Sequence, residues 1–191
     1  MKVLIINSSH RRNGTIGKML EAVGQHFSSD VELEAVHLHD FEIRPCVGCM
    51  KCRSTKTCCL PADGAHTLGA KIQSADALIV GSPVYWGNIS GNLKVLFDRI
   101  VPLLMAEDKY GRPVPLQKGK KAAFVTSCST PWPFNFMFPE TRGAKRAIKE
   151  ILHCSGYKIV GALTRPGTKK NQALQDRIIA RAKRIARRIE V

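Results

Sequence analysis

Apolar residues are grouped along this chain in two alternating patterns, which together predict alternating strands and helices. Apolar runs with polar residues only at their ends occupy residues 2–6, 77–81 and 121–127. Short unbroken runs of this kind are typical of strands that are buried on both faces of a sheet. Two further segments, 31–38 and 157–163, also predict strands, the first because polar and apolar residues alternate along it.

Between these segments, apolar residues recur every three or four positions, the spacing that places them on one face of a helix. The spacing predicts five helices, over residues 16–27, 63–73, 91–104, 141–154 and 171–189. Strands that alternate with helices indicate a parallel sheet covered on both faces, so the predicted fold is a doubly wound α/β domain. No internal repeat or linker interrupts the pattern, and residues 1–191 are therefore expected to form a single domain.

In doubly wound sheets, ligands bind beyond the carboxyl ends of the strands. The loops after Ile6, Gly81 and Ser127 are therefore expected to form one site. The first of them, residues 7–15, combines hydroxyl groups, two arginines and the N-terminus of a predicted helix, a set that suits a phosphate group. The same residue types also form ordinary turns and helix N-caps, so this loop alone leaves both interpretations open.

The second loop, GSPVYWGNISG over residues 81–91, places aromatic rings at the ligand-binding end of the sheet. Tyr85 and Trp86 would be well placed to pack against a flat ligand, because aromatic rings usually seek burial. Gly87 and Asn88 allow backbone amides to approach the edge of such a ligand. The alternative is an aromatic plug that closes the core of the protein.

The composition is strongly basic, with a formal net charge of +15 from 30 Lys and Arg against 15 Asp and Glu. No zinc-finger histidine spacing or RNA-binding aromatic motif accompanies this charge, so nucleic-acid binding is not expected to be the main function. No apolar run approaches the roughly 20 residues of a membrane helix, and the first residues do not read as a signal peptide. A cytoplasmic protein with reduced thiols and no membrane partner is expected.

Five of the seven cysteines lie within residues 45–59. The spacing of Cys46, Cys49 and Cys52, followed by Cys58 and Cys59, is typical of a run that holds a [4Fe–4S] cluster, with either of the last two as fourth ligand. Zinc sites more often use two cysteine pairs separated by a longer span. A reduced thiol loop and a regulatory disulfide are also compatible with this run.

Three stretches of the chain together resemble the NADPH-dependent FMN reductase family of flavodoxin-like proteins. They are NSSHRRNG after the first strand, the cysteine run, and SADALIVGSPVYWGNISGNLKVLFDR, of which the last is the most specific. The resemblance extends over the chain and weakens after about residue 105. It implies a five-stranded parallel sheet in the order 2-1-3-4-5, bound FMN, NAD(P)H as co-substrate, and a homodimer or homotetramer.

The resemblance also implies which residues hold FMN, with its phosphate in the first loop and its ring against the second and third. The implied cofactor-binding residues are Ser9, Arg11, Arg12, Asn13, Gly14, Thr15, Ile16, Ser82, Pro83, Val84, Tyr85, Trp86, Gly87, Asn88, Ser127 and Cys128. The first loop departs from the family pattern, since Ser8 replaces a Gly, His10 replaces a Pro, and Thr15-Ile16 replaces an Asn-Thr pair. One phosphate-binding hydroxyl is therefore missing or displaced, and Arg12 compensates by charge.

The function that these features predict is an FMN-dependent NAD(P)H oxidoreductase that passes electrons to a flavin, a quinone, another small acceptor or a protein. No catalytic residue can be named, because the flavin supplies the chemistry. The first alternative is an iron–sulfur flavoprotein that acts as an electron carrier, since members of that type carry a similar cysteine run. The second is a non-catalytic, flavin-sensing protein that binds nucleic acid. The aromatic segment 131–139 suits a flavin cover, a substrate lid or a dimer interface.

Overall fold

A computed structural model describes residues 1–169 and 174–191. Its strands in chain order are β1 (Lys2–Asn7), β2 (Glu32–His37), β3 (Ala77–Pro83), β4 (Met105–Glu107), β5 (Pro113–Pro115), β6 (Lys121–Ser127) and β7 (Lys158–Arg165). Its helices are α1 (Thr15–Gly24), α2 (Cys52–Thr55), α3 (Gly64–Ser74), α4 (Gly91–Arg99), α5 (Val101–Leu104), α6 (Phe134–Met137), α7 (Glu140–Ser155) and α8 (Asp176–Glu190), with a 3-10 turn over Leu38–Asp40.

The main sheet has five strands in the order β2-β1-β3-β6-β7, and every neighbouring pair is parallel. Counting only the strands of this sheet, the order is 2-1-3-4-5, so the predicted flavodoxin-like fold is confirmed. The switch point lies between β1 and β3, because the chain moves outward in opposite directions from these two strands. This is the position at which such sheets bind ligands.

Helices cover both faces of the sheet, as the continuous apolar runs predict. Alternate residues of β1 illustrate this, because Leu4 and Ile6 belong to one buried cluster while Val3 and Ile5 belong to the other. The first cluster includes apolar residues of α3, α4 and α7, and the second those of α1 and α8. Burial on both faces is the reason that β1, β3 and β6 show no polar alternation, whereas β2 at the edge of the sheet is largely exposed and does alternate.

The structure differs from the sequence prediction after residue 99. The predicted helix over 91–104 is divided into α4 and α5 at Ile100, and Pro102 lies at the start of α5. An antiparallel hairpin of β4 and β5 follows, which the sequence analysis did not predict. Its strands have three residues each, too few to show a period-two pattern, and β5 contains two prolines.

The last helix begins later than predicted. The predicted range 171–189 includes residues 171–173, which lie outside the described residues, and α8 spans Asp176–Glu190. Two arginines of α8 donate hydrogen bonds to the outer carbonyls of the edge strand β7, Arg181 to Ala162 (2.9 Å) and Arg188 to Val160 (3.2 Å). Within the described ranges, no helix combines the length and the apolar character that a membrane span needs.

Candidate functional site

The loops that follow β1, β3 and β6 meet at one cleft of about 260 Å³ at the carboxyl end of the sheet. The predicted site residues that line it are Ser9, Arg11, Gly14, Thr15, Ile16, Pro83, Val84, Tyr85, Ser127 and Cys128. Ser129 and Thr168 complete the lining. The structure therefore brings together residues from three loops, of which the first and third are more than a hundred positions apart along the chain.

The loop after β1 is held by its own side chains and leaves the start of α1 facing this cleft. Asn7 Oδ1 accepts a hydrogen bond from the amide of Ser9 (3.0 Å), and Ser9 Oγ accepts one from the amide of Arg11 (3.2 Å). Gly14 is the N-cap of α1 and offers no side chain to its first amides, and the first turn carries no acidic residue. Exposed first-turn amides and the helix dipole make this end favourable for an anion.

Gly17 allows the loop to lie directly on the first turn of α1. A Cβ at this position would be 1.7 Å from the carbonyl oxygen of Arg12, a distance that only displacement of the loop backbone could relieve. The side chain of Asn7 also donates to this carbonyl at 3.4 Å. No sequence pattern marks Gly17, because its role depends on this close approach.

The two arginines of the loop lie in different surroundings. Arg11 lines the cleft, whereas Arg12 forms an ion pair with Asp40, which follows β2. Arg12 does not line the cleft, and neither does Asn13. The expected compensation of a missing hydroxyl by Arg12 therefore has no support in its position.

A chain of buried serine hydroxyls joins the first and second loops beneath the cleft. Ser90 Oγ donates to Ser8 Oγ (2.8 Å), and Ser8 Oγ donates to the carbonyl of Gly81 (2.9 Å). Ser82 Oγ accepts from the amide of Ser90 (2.9 Å) and donates to the carbonyl of Pro83. Ser82, a predicted cofactor-binding residue, thus holds the second loop in place and does not line the cleft.

Two histidines, one at the end of β2 and one just after it, hold the backbone of the first loop, and no sequence pattern predicted them. His37 Nε2 donates to the carbonyl of Ser9 (2.7 Å), and His39 Nε2 donates to that of Ser8 (3.2 Å). His39 Nδ1 accepts from Asn92 (3.0 Å), and the ring of His10 stacks on His39 at 3.7 Å. Burial lowers the pKa of His39, which favours the neutral ring.

The tip of the second loop is a tight turn over residues 85–88. Tyr85 and Asn88 exchange backbone hydrogen bonds at 2.9 Å in both directions, and Trp86 and Gly87 have φ angles of 51° and 72°. The turn rests on α7, since a Cβ on Gly143 would be 2.1 Å from the carbonyl oxygen of Gly87. Trp86 is fully exposed at the tip, and Trp86, Gly87 and Asn88 do not line the cleft.

The third wall of the cleft is formed by residues at the ends of β6 and β7. The carbonyl of Ser127 accepts from the amide of Val84 (2.8 Å), which ties the second and third loops together. Thr168 donates to the carbonyl of Cys128 through both its amide (3.2 Å) and its hydroxyl (3.1 Å). Burial raises the pKa of the Cys128 thiol. Thr168 was not predicted, because it follows β7 and only the fold brings it here.

The cysteine loop, residues 46–59, lines a separate cavity of about 360 Å³ together with α4, α5 and β4. All five of its cysteines face this cavity, namely Cys46, Cys49, Cys52, Cys58 and Cys59. Within residues 1–169 and 174–191, however, no three Cys, His, Asp or Glu side chains are placed to share a metal ion. The placement of these side chains therefore gives no support to the predicted four-thiolate cage.

The last two cysteines of the loop have different partners. Cys58 Sγ accepts a hydrogen bond from Arg99 Nε (3.3 Å), whereas Cys59 Sγ lies 3.4 Å from Cys49 Sγ. The backbone amide of Lys51 and then the Cys59 thiol lower the pKa of Cys49, and the pKa of Cys59 is raised by this contact with Cys49. Two of the five thiols thus form a pair.

The family model for NADPH-dependent FMN reductases matches residues 1–131, which include the first and second loops and β6. The chain belongs to this family. The resemblance predicted from the sequence is thereby confirmed.

The chain is also similar to individual curated proteins. An iron-sulfur flavoprotein of Methanocaldococcus jannaschii is 38% identical over 104 residues, which cover 54% of this chain and 53% of that protein. The chain spans about half the length of the curated relatives it matches.

Two solved structures share the fold of the whole chain. The protein Smu.1420 from Streptococcus mutans has a TM-score of 0.76 at 19% identity, with all of both chains covered. An NAD(P)H:quinone oxidoreductase from Methanothermobacter marburgensis has a TM-score of 0.74 at 19% identity, covering 100% of this chain and 96% of that one. At these identities the two structures show a common fold.

Proposed function

We propose that the chain binds FMN in the cleft at the carboxyl end of the sheet and acts as an NAD(P)H-dependent oxidoreductase. The observation that carries the proposal is the opening of the α1 N-terminus into the same cleft as Tyr85 and Cys128. An anion site and a partly apolar slot then lie side by side, as a phosphate joined to a flat ring requires. Membership of the FMN reductase family supports the same assignment.

The residues of the first loop fit the phosphate end of FMN. Ser9 and Thr15 supply hydroxyl groups, Arg11 supplies a guanidinium group, and the first amides of α1 are not capped by a side chain. Guanidinium and amide donors together suit a phosphate because the hydrogen bonds they form are charge-assisted. His37 and His39 donate to the carbonyls of Ser9 and Ser8, which holds the loop backbone in place beside the start of α1.

The second and third loops fit the ring end. Pro83, Val84 and Tyr85 line one part of the cleft, and Cys128 with Thr168 lines another. The hydrogen bond from Val84 to Ser127 fixes the distance between these walls. When bound, FMN would supply hydride acceptance and electron transfer between a nicotinamide and a second substrate. The protein residues would orient the two ligands and limit access of water.

A quinone is the first acceptor to test, because a neighbour with the same fold is named as an NAD(P)H:quinone oxidoreductase. The experiment is titration of the purified chain with FMN, followed by anaerobic oxidation of NADH and NADPH with a water-soluble benzoquinone. We expect saturable FMN binding and quinone reduction that requires FMN. An Arg184→Ala variant is the control, since Arg184 is exposed on α8, and it should retain both properties. A chain that binds no FMN would overturn the proposal.

The iron–sulfur flavoprotein is the second candidate, favoured by the names of the relatives and by five cysteines around one cavity. The placement of the thiols does not favour it, because Cys58 contacts Arg99 and Cys59 contacts Cys49. Anaerobic purification with iron and acid-labile sulfide analysis separates the two candidates. Four irons and four sulfides per chain would support the cluster. If iron and sulfide are both absent after reconstitution, the cluster is eliminated.

A further inference from the structure

The cysteine loop is folded by tight turns that bring distant thiols together. Its backbone has φ angles of 65°, 59° and 61° at Gly48, Met50 and Lys56, all in the left-handed region. Such turns reverse the chain over a few residues. Cys49 and Cys59 therefore approach each other with 3.4 Å between their Sγ atoms, although ten positions separate them, and both are exposed.

The neighbouring Cys58 is held by another part of the protein. Its Sγ accepts from Nε of Arg99, whose side chain is completely buried and is paired with Asp63. Arg99 also donates to the carbonyl of Arg44 at 2.7 Å. Arg99 thus forms hydrogen bonds at both ends of the loop. Because Cys58 Sγ is bonded to Arg99, the cysteine that contacts Cys49 is Cys59.

The remaining thiols lack this arrangement. Cys46 Sγ accepts from the amide of Gly48 (3.5 Å), Cys128 is buried, and Cys154 contacts Glu150 on α7. Over residues 1–169 and 174–191, Cys49 and Cys59 are the only two cysteine sulfurs within hydrogen-bonding distance of each other. Proximity therefore selects one pair out of seven cysteines.

We propose that Cys49 and Cys59 form a redox-active dithiol that closes to a disulfide in reaction with a low-molecular-weight disulfide. The two sulfurs need to approach by little more than 1 Å to reach the bond length of about 2.05 Å. Both thiols are exposed, so a small oxidant has access to them. The proposal does not depend on FMN binding, since the cleft and the cysteine cavity share no lining residue.

The reaction balances as a thiol–disulfide exchange. The thiolate of Cys49 attacks one sulfur of the small disulfide, forming a mixed disulfide and releasing one small thiolate. Cys59 then loses its proton, attacks Sγ of Cys49 and releases the second small thiolate. The two protons lost by the cysteines are taken up by the two small thiolates. Two cysteine thiols are oxidised, and one small disulfide is reduced to two thiols.

Oxidation would change how the wall of the cavity is held. Cys49 and Cys59 both line the cavity of about 360 Å³, and the segment between them forms part of its wall. A disulfide closes residues 49–59 into a covalent ring, whereas in the reduced loop the side chains of Cys49 and Cys59 are only in noncovalent contact. The oxidised and reduced chains are therefore expected to differ in the susceptibility of this segment to proteases.

The test is treatment of the reduced, purified chain with oxidised glutathione, followed by thiol counting and peptide mapping. We expect loss of two of the seven thiols, recovered with dithiothreitol. Trypsin cleaves after Lys51, Arg53 and Lys56, so the new bond links two peptides, one with Cys46 and Cys49 and the other with Cys58 and Cys59. The variants Cys46→Ser and Cys58→Ser should each retain the link, which makes the assignment unambiguous.

Substitution of the second thiol tests the order of the steps. Cys59→Ser should stop the reaction at the mixed disulfide, leaving one glutathione on Cys49 and no linked peptides. The circular dichroism spectrum should be unchanged, since Cys59 is exposed. An unchanged thiol count in the original chain, a link that survives in Cys59→Ser, or stoichiometric iron and sulfide in the anaerobic chain would each overturn the proposal.

Discussion

The carboxylate of Asp63 and the guanidinium of Arg99 form a bidentate buried pair, with Nη1–Oδ2 at 2.7 Å and Nη2–Oδ1 at 3.2 Å. Asp63 is also the N-cap of α3, where it accepts from the amide of Ala65 (2.9 Å). Arg99 extends from the end of α4 to the carbonyl of Arg44 and the thiol of Cys58. One pair therefore connects two helices and both ends of the cysteine loop.

This pair predicts an acid-sensitive contribution to stability. Burial alone would raise the pKa of Asp63, but hydrogen bonds from Arg99 and from the amides of Arg44 and Ala65 outweigh it and lower the pKa from 3.8 to about 2. Because the folded pKa lies below the unfolded one, the contribution is fully present above about pH 4 and is lost as the pH falls through about 2. It amounts to about 2 kcal/mol.

The measurement is the free energy of unfolding in urea between about pH 2 and pH 6 for the original chain and for Asp63→Asn. The difference between the two should be largest above about pH 4 and should decrease below it. Asp98→Asn is the matched control, because Asp98 forms an exposed ion pair with Lys94 on α4. If the curves of the original chain and Asp63→Asn run parallel over the whole range, the assignment of the shift to this pair is wrong.

Arg11 and Arg12 should contribute unequally to FMN binding. Arg11→Ala removes a cation that lines the cleft, and we expect about tenfold weaker binding, or about 1.4 kcal/mol. Arg12→Ala removes the partner of Asp40 outside the cleft, and we expect less than about a threefold change. Titration followed by flavin fluorescence measures both constants. Equal losses in the two variants would contradict the placement of the phosphate.

Gly17→Ala should displace the first loop and weaken FMN binding by about tenfold or more, because the added Cβ overlaps the carbonyl of Arg12. Gly91→Ala is the control, since Gly91 is also in the first turn of a helix and a Cβ there meets no atom within 4 Å. The control should bind FMN normally and should be at least as stable, because Ala favours helix. Normal FMN affinity in Gly17→Ala would show that the loop backbone does not form the site.

The exposed aromatic segment 131–139 predicts self-association. Trp132, Phe134 and Phe138 are each more than half exposed, an unusual clustering for a surface that meets only water. We expect a homodimer or homotetramer, in line with the resemblance. Trp132→Glu should lower the molar mass that light scattering measures for the protein in solution. Tyr110→Glu is the control and should leave the molar mass unchanged, because Tyr110 lies in the turn of the β4–β5 hairpin. A monomeric original chain would refute the prediction.

Much of the fold follows from local sequence patterns. The central strands could be predicted because burial on both faces requires apolar runs such as those of β1 and β3, and β2 at the edge because its polar and apolar residues alternate. The β4–β5 hairpin could not, because its strands have three residues each and the Asp108 turn that joins them is stabilised by local hydrogen bonds. The position of the cleft was predictable from topology alone, since parallel strands end at the same edge.

What the sequence patterns determined by themselves are therefore the parallel sheet and the three loops at its carboxyl end, since these depend on hydrophobic period and chain connectivity, while the strand order was implied by the resemblance to a known family. Only the tertiary structure decided the partner of each polar side chain. Arg12 pairs with Asp40, and Cys58 contacts Arg99 while Cys59 contacts Cys49. These choices depend on loop turns and on contacts with residues as many as 41 positions away, which residue spacing does not encode.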